Sequence, residues 1–207
     1  MAAGAGKSMA SDPFAVTLRP GDALILVDVQ YDFLPGGHLA VPRGDEVVPV
    51  LNRYIALFRQ RRLPVFATRD WHPPQHCSFR EQGGPWPPHC IAGSDGARFA
   101  ALLDLPCDVT IISKATAAQS DAYSGFEGTD LTQLLRRAGV SRVFVGGLAT
   151  DYCVLNTVRD ARSLGFDVVL LADAIRAVDV APRDGERAIA EMLGAGAVAV
   201  DYSGVTG

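Results

Sequence analysis

The chain has 207 residues, 48% of them hydrophobic and 20% charged, which is enough for one globular domain with a well-buried core. Its net charge of −4 and its lack of a basic cluster argue against nucleic acid as a partner. No apolar run reaches bilayer length, and Cys77, Cys90, Cys107 and Cys153 are too scattered for a disulfide framework, so a soluble, cytoplasmic protein is expected.

Residues 1–16, rich in Gly, Ala and Ser, are expected to form a disordered leader, with one folded domain over 17–207. Gly4-Ala5-Gly6-Lys7-Ser8 ends like a phosphate-binding loop, but no strand precedes it. Ala23 to Val29 is a near-continuous apolar run, the mark of a strand covered on both faces, with Asp28 and then Gln30 at its carboxyl end. The Pro35-Gly36-Gly37 turn follows, and His38 reads as an ordinary turn residue. Asp45 is expected to cap a helix from Glu46 to about Arg62, whose terminal Arg59, Arg61 and Arg62 suit its dipole. Pro64 to Thr68 reads as a second strand that delivers Asp70 just beyond its end. Residues 71–98 form a long loop rich in Pro and Gly, and such a loop inside a compact domain is usually functional.

Val109 to Ser113 is a third strand that hands over to Lys114 and a polar loop, before a helix from about Asp130 to Ala138. Arg142 to Val145 is a strand closed by Gly146-Gly147. From Asp151 the spacing Val154, Val158, Ala161, Leu164 predicts a helix that stops at Gly165. A strand from Phe166 to Ala172 ends at Asp173, and a helix from Arg183 to Leu193 precedes a last strand, Ala197 to Asp201. The Gly194–Ala199 stretch matches a dinucleotide fingerprint in letters only, since it runs from helix into strand. This alternation predicts an α/β, three-layer single domain, with a parallel sheet of about six strands and helices on both faces.

That topology carries the functional reading. Asp28, Asp70, Lys114 and Cys153 each sit at the carboxyl end of a different strand, and those ends share the edge where ligands bind. Cys153 falls in the first turn of a helix, where the helix dipole favours negative charge, so it is expected to ionise easily and act as a nucleophile. A small buried core cysteine is the blander reading, but the strand, Gly-Gly turn and helix around it favour the nucleophile. Asp70, His72, His76 and His89 offer mixed oxygen and nitrogen ligands suited to zinc, iron or manganese. A closed zinc site using Cys77 and Cys90 ranks lower, because such sites pair cysteines at short spacing. Phe33, Trp86 and Tyr123 lie near the same edge and are candidates for the walls of a flat pocket.

The stretches D-V-Q-Y-D-F-L-P-G-G-H-L-A-V (28–41), T-R-D-W-H-P-P-Q-H-C-S-F (68–79), W-P-P-H-C (86–90), D-A-Y-S-G-F (121–126) and G-G-L-A-T-D-Y-C-V (146–154) resemble the successive signatures of the nicotinamidases. These pyrazinamidase-type enzymes are metal-dependent amidases among the isochorismatase-like cysteine hydrolases, and the resemblance runs from about Ala23 to the C-terminus. It implies an isochorismatase-like fold and hydrolysis of nicotinamide, and of pyrazinamide as well, through a thioester, with a place in NAD salvage. It makes Asp28, Lys114 and Cys153 the catalytic triad, and the backbone N–H groups of Ala149 and Cys153 the oxyanion hole. Asp70, His72 and His89 would hold one divalent ion, zinc before iron or manganese, with His76 as a fourth contributor. Phe33, Trp86, Tyr123 and Leu148 would line the substrate pocket, and the Leu148-Ala149 peptide would be cis. The implied partner is the small molecule nicotinamide, with no nucleic acid or membrane, and a homo-oligomer is compatible with the reading. The K-A-T-A-A-Q stretch (114–119) departs from the family's usual Lys-Gly. Two rivals remain: the same chemistry on another small amide or ureido compound, and a non-catalytic metal- or nucleotide-binding α/β module. The complete triad argues against the second.

Overall fold

The computed structural model describes residues 15–207, so Gly4–Ser8 and all of the expected leader up to residue 14 lie outside the described residues. In chain order the elements are β1 (Val16–Thr17), β2 (Asp22–Val27), α1 (Val47–Gln60), β3 (Val65–Asp70), β4 (Thr110–Lys114) and α2 (Leu131–Arg137). They continue as β5 (Arg142–Leu148), α3 (Leu155–Ser163), β6 (Asp167–Arg176), α4 (Asp184–Gly194), β7 (Val198–Val200) and β8 (Val205–Thr206). Six strands pair in parallel in the order β4-β3-β2-β5-β6-β7. The chain builds outward from β2 to β4, then returns to the other side of β2 and builds outward again. The strand order therefore reverses between β2 and β5, and the crevice at their carboxyl ends is where an open parallel sheet binds ligands.

The sheet separates two apolar layers. On one side Leu24 and Leu26 of β2 pack with Leu51, Tyr54, Ile55 and Phe58 of α1. On the other Ala23, Ile25 and Val27 meet Leu131 and Leu135 of α2, Val158 and Ala161 of α3, and Met192 of α4. Burying each large apolar side chain of α1 is worth roughly 1.5–3 kcal/mol. Glu46, at the head of α1, makes no capping side-chain bond, and the expected Asp45 cap is replaced by a short 3-10 turn over Gly44–Glu46. A cap contributes about 1 kcal/mol, so packing rather than capping fixes this helix.

Three further features differ from the sequence reading. Val16, placed in the leader, already belongs to β1, which pairs in parallel with β8. β6 runs on to Arg176, past the expected end at Asp173. The expected helix from Asp151 begins instead as a π-helical turn, Thr150–Val154, before α3. Just ahead of that turn the β5–β6 register shifts between Val145 and Gly147. Gly147 has φ 129°, and a Cβ there would overlap the Val27 carbonyl. Only glycine lets the end of β5 lie this close to the exit of β2.

Candidate active site

Asp28 follows β2 directly in a left-handed conformation, φ 50°, that turns its carboxylate back into the crevice. Thr68 Oγ1 donates to its Oδ1 at 2.6 Å, and Lys114 Nζ stands 3.0 Å from its Oδ2. Lys114 closes β4 with its side chain fully buried. It also pairs closely with Asp70, the last residue of β3, and donates to the Ala122 carbonyl at 3.2 Å. Cys153 Sγ lies 3.5 Å from the same ammonium. One acidic oxygen each of Asp28 and Asp70 and the Cys153 sulfur lie within 4.8 Å of one another. Four side chains that are far apart in sequence thus meet around one buried cation.

Burial and neighbouring charge set their protonation. Burial pushes Asp28 above the ordinary carboxylate value of 3.8, and Lys114 offsets only part of this. Burial acts the same way on Asp70, but Lys114 and His72 outweigh it and hold that carboxyl well below its usual range. Burial disfavours the charged form of Lys114, yet Asp28 and Asp70 keep it protonated and raise its pKa well above the ordinary value. Burial also drives the Cys153 thiol well above its ordinary pKa; Lys114 pulls it down, while Asp28 and Asp70 add to the rise. The easily ionised thiol expected from the helix terminus is therefore corrected. Burial is the largest influence on the Cys153 thiol and favours its protonated form.

Asp70, His72 and His89 form a second cluster in the same crevice, with ligand atoms all within 4.8 Å of one another. His72 Nδ1 faces the Ala115 carbonyl at 3.3 Å and His89 Nδ1 the Pro87 carbonyl at 2.8 Å. A carbonyl only accepts, so each ring carries a proton on Nδ1 and turns Nε2 toward Asp70, at 3.6 and 3.9 Å. Burial lowers the pKa of His89 despite Asp70, which keeps that ring neutral. His72 Nε2 is buried without a hydrogen-bond partner. An unpartnered ring nitrogen, a second one and a carboxylate aimed at one point fit a divalent metal ion.

Two of the expected site residues fall elsewhere. His76 lies outside the Asp70, His72 and His89 cluster, with Nδ1 against Ser78 Oγ at 2.7 Å and Nε2 against the Ser120 carbonyl at 3.1 Å. Its ring lies tilted against that of His72, ring centroids 4.2 Å apart. Leu148 is fully buried in the α1-side core rather than in the pocket wall, although its peptide bond to Ala149 is cis as expected. Phe33, Trp86 and Tyr123 do line the cleft, together with Ala149 and Cys153. Trp86 Nε1 donates to the Tyr123 hydroxyl at 2.9 Å.

Two contributors escaped the sequence reading. Tyr152 lines the cleft and packs its ring against Trp86 and Tyr123, and its position beside Cys153 was the available signal. Gln30 clamps the Asp70 backbone, accepting its N–H at 2.8 Å and donating to its carbonyl at 2.9 Å. Nothing in the local sequence marks that role, since its partner is 40 residues away.

Fold and cleft together define an α/β enzyme that sets a thiol, a carboxylate and an ammonium beside an Asp/His metal site. An isochorismatase domain matches residues 22–202, and the chain belongs to that family. The nicotinamidase of Escherichia coli (strain K12) is 40% identical over 199 residues, covering 86% of this chain and 93% of that protein. A crystal structure of the pyrazinamidase of Pyrococcus horikoshii in complex with zinc superposes with a TM-score of 0.85 at 52% identity, covering 88% of this chain and 100% of that one. PnC1 from L. infantum in complex with nicotinate gives 0.86 at 41% identity, covering 93% and 98%.

Proposed function

We propose that this protein hydrolyses nicotinamide to nicotinate and ammonia, and pyrazinamide likewise, by covalent catalysis at Cys153. The observation that carries this reading is the convergence of Asp28, Lys114 and Cys153 on one cleft shared with Asp70, His72 and His89. Its support from relatives is that proteins named nicotinamidase or pyrazinamidase match most of the chain.

Asp28 takes the Cys153 proton as the carboxamide enters, and Oδ2, which has no hydrogen-bond donor apart from the nearby ammonium, is the oxygen free to receive it. The sulfur attacks the carboxamide carbon, giving a tetrahedral oxyanion. The N–H groups of Ala149 and Cys153 hold that charge, and each such donor is worth roughly 10²–10³ in rate. Asp28 passes its proton to the nitrogen, the C–N bond breaks, and ammonia leaves a thioester. Water then adds to the thioester with Asp28 as base, and the collapse returns nicotinate and the Cys153 thiol. Lys114 balances the negative charge that moves between Asp28 and sulfur.

Asp70, His72 and His89 would hold the divalent ion, with zinc as the first choice for one carboxylate and two imidazoles. When bound, the ion supplies a coordination position for the ring nitrogen of the substrate, which orients the amide. Trp86, Tyr123, Tyr152 and Phe33 give the ring an aromatic enclosure. The four cysteines are free thiols, which supports a reducing compartment such as the cytoplasm. The deciding experiment is an ammonia assay with purified protein and nicotinamide. Absence of ammonia and nicotinate with metal-loaded protein would overturn the assignment.

A further inference from the structure

Asp32 is a buried carboxylate that the chemistry above does not use. Its Oδ2 accepts the Cys90 N–H at 2.7 Å. Its Oδ1 accepts the His38 N–H at 3.2 Å and meets His38 Nδ1 at 2.6 Å. The carboxylate is 5% exposed while the His38 side chain is 75% exposed, so the outer half of this arrangement faces water and the inner half does not.

The inner half leads to both imidazoles of the metal cluster. Cys90 has φ 46°, a left-handed conformation that disfavours an L side chain by roughly 1–2 kcal/mol. That conformation turns the Cys90 N–H to Asp32 and its carbonyl to the His72 N–H, at 3.0 Å. His89 is the preceding residue, and Ala92 N–H returns to the His72 carbonyl at 2.8 Å. One residue therefore follows His89 through its N–H side and grips His72 through its carbonyl. A charge-assisted hydrogen bond to its N–H offsets the conformational cost of holding it there.

We propose that Asp32 is a positioning residue for the metal ligands, acting through the Cys90 peptide to hold the His72 and His89 rings at the separation that binds the ion. This inference rests on the metal reading given above. It assigns Asp32 a role in metal affinity, with no part in proton transfer or substrate contact. Loss of a partner of this kind typically weakens metal binding roughly 10–100-fold.

The test is zinc affinity by chelator competition in the wild type, Asp32→Asn, Gly96→Ala and His38→Ala. Asparagine keeps the shape and removes the charge. A Cβ on Gly96 would overlap the Asp32 carboxylate and push it away without changing its chemistry, which provides a second perturbation should Asp32→Asn not fold. Both are expected to weaken zinc binding roughly 10–100-fold, with kcat recovered at saturating zinc. His38→Ala leaves the Cys90 contact in place and should bind zinc as the wild type does. Wild-type affinity in folded Asp32→Asn or Gly96→Ala, or a loss of kcat that zinc does not restore, overturns the proposal. A weakening as large in His38→Ala also overturns it, since the Cys90 contact would not be the cause. A wild type that binds no zinc would sink the metal reading together with it.

Discussion

Lys114 holds its ammonium 3.0 Å from the Asp28 carboxylate with both side chains wholly out of solvent. At that depth the cation decides how readily Asp28 ionises, and Asp28 is the group that must accept a proton. Activity needs the carboxylate, so kcat/KM should fall as pH drops through the Asp28 pKa. That pKa lies above the ordinary 3.8. In Lys114→Met the opposing charge is gone, and the acid limb should move to higher pH while kcat/KM drops roughly 10²-fold or more. Stranding the buried carboxylates should also cost about 3–5 kcal/mol of stability, seen as a lower urea midpoint. A pH profile that keeps its acid limb in the folded variant would refute the electrostatic role of Lys114.

The protonated, buried state of Cys153 makes a second prediction. Iodoacetamide should label exposed Cys107 well before Cys153 at neutral pH, because the latter is closed off and its thiol pKa is raised by burial. An electrophile shaped like the substrate, such as a pyridine bearing an aldehyde at the carboxamide position, should reverse that order by bringing its carbon to the Asp28–Cys153 pair. Cys153→Ala should fold normally and release no ammonia. Mass-spectrometric mapping of both reagents checks the order, and rapid iodoacetamide labelling of Cys153 in the resting protein would contradict the burial argument.

These features divide by how far apart their causes lie in the chain. The six strands of the sheet were legible because each is a local apolar run, as in Ala23–Val29. The convergence of Asp28, Asp70, Lys114 and Cys153 followed from strand ends sharing one edge. The ionisation of Cys153 was misread because burial and the nearby carboxylates come from β2 and β3, outside its own helix. The surroundings of His76 were not legible because one of the two groups that its nitrogens meet, the Ser120 carbonyl, lies 44 residues away. Leu148 was misplaced because it shares the face of Phe144, the α1 side, as the alternation along β5 dictates, and that face points away from the cleft. The β1–β8 pair involves two residues from each end of the described chain, too short for any pattern to register.

Ala115 offers a test of local strain. It has φ 51°, where the resemblance leads one to expect glycine, and its carbonyl faces His72 Nδ1. A left-handed alanine costs roughly 1–2 kcal/mol, while glycine in its place costs about 0.5–1 kcal/mol in lost chain freedom. Ala115→Gly should therefore stabilise the protein by up to about 1 kcal/mol, read as a higher urea midpoint with unchanged slope. A lower midpoint would mean that the alanine is not strained there.

The last prediction separates metal-guided recognition from simple shape selection. Nicotinamide, pyrazinamide and benzamide have nearly the same outline, and the aromatic enclosure of Trp86, Tyr123, Tyr152 and Phe33 should accept all three. Only the first two carry a ring nitrogen meta to the carboxamide. With the Asp70, His72 and His89 site loaded, that nitrogen has an anchor and benzamide has none. Misplacement of about an ångström costs on the order of 10²-fold, so kcat/KM for benzamide should fall behind by at least that factor. Chelator-stripped protein, and His72→Ala, should lose most of the activity and most of the preference together. Gln30→Ala should do so in part, because it releases the clamp on the Asp70 backbone. Zinc added back should restore discrimination in stripped wild type but not in His72→Ala. If the loaded protein turned over benzamide and nicotinamide equally, the metal would have no part in aiming the amide. Specificity would then rest on the aromatic walls alone.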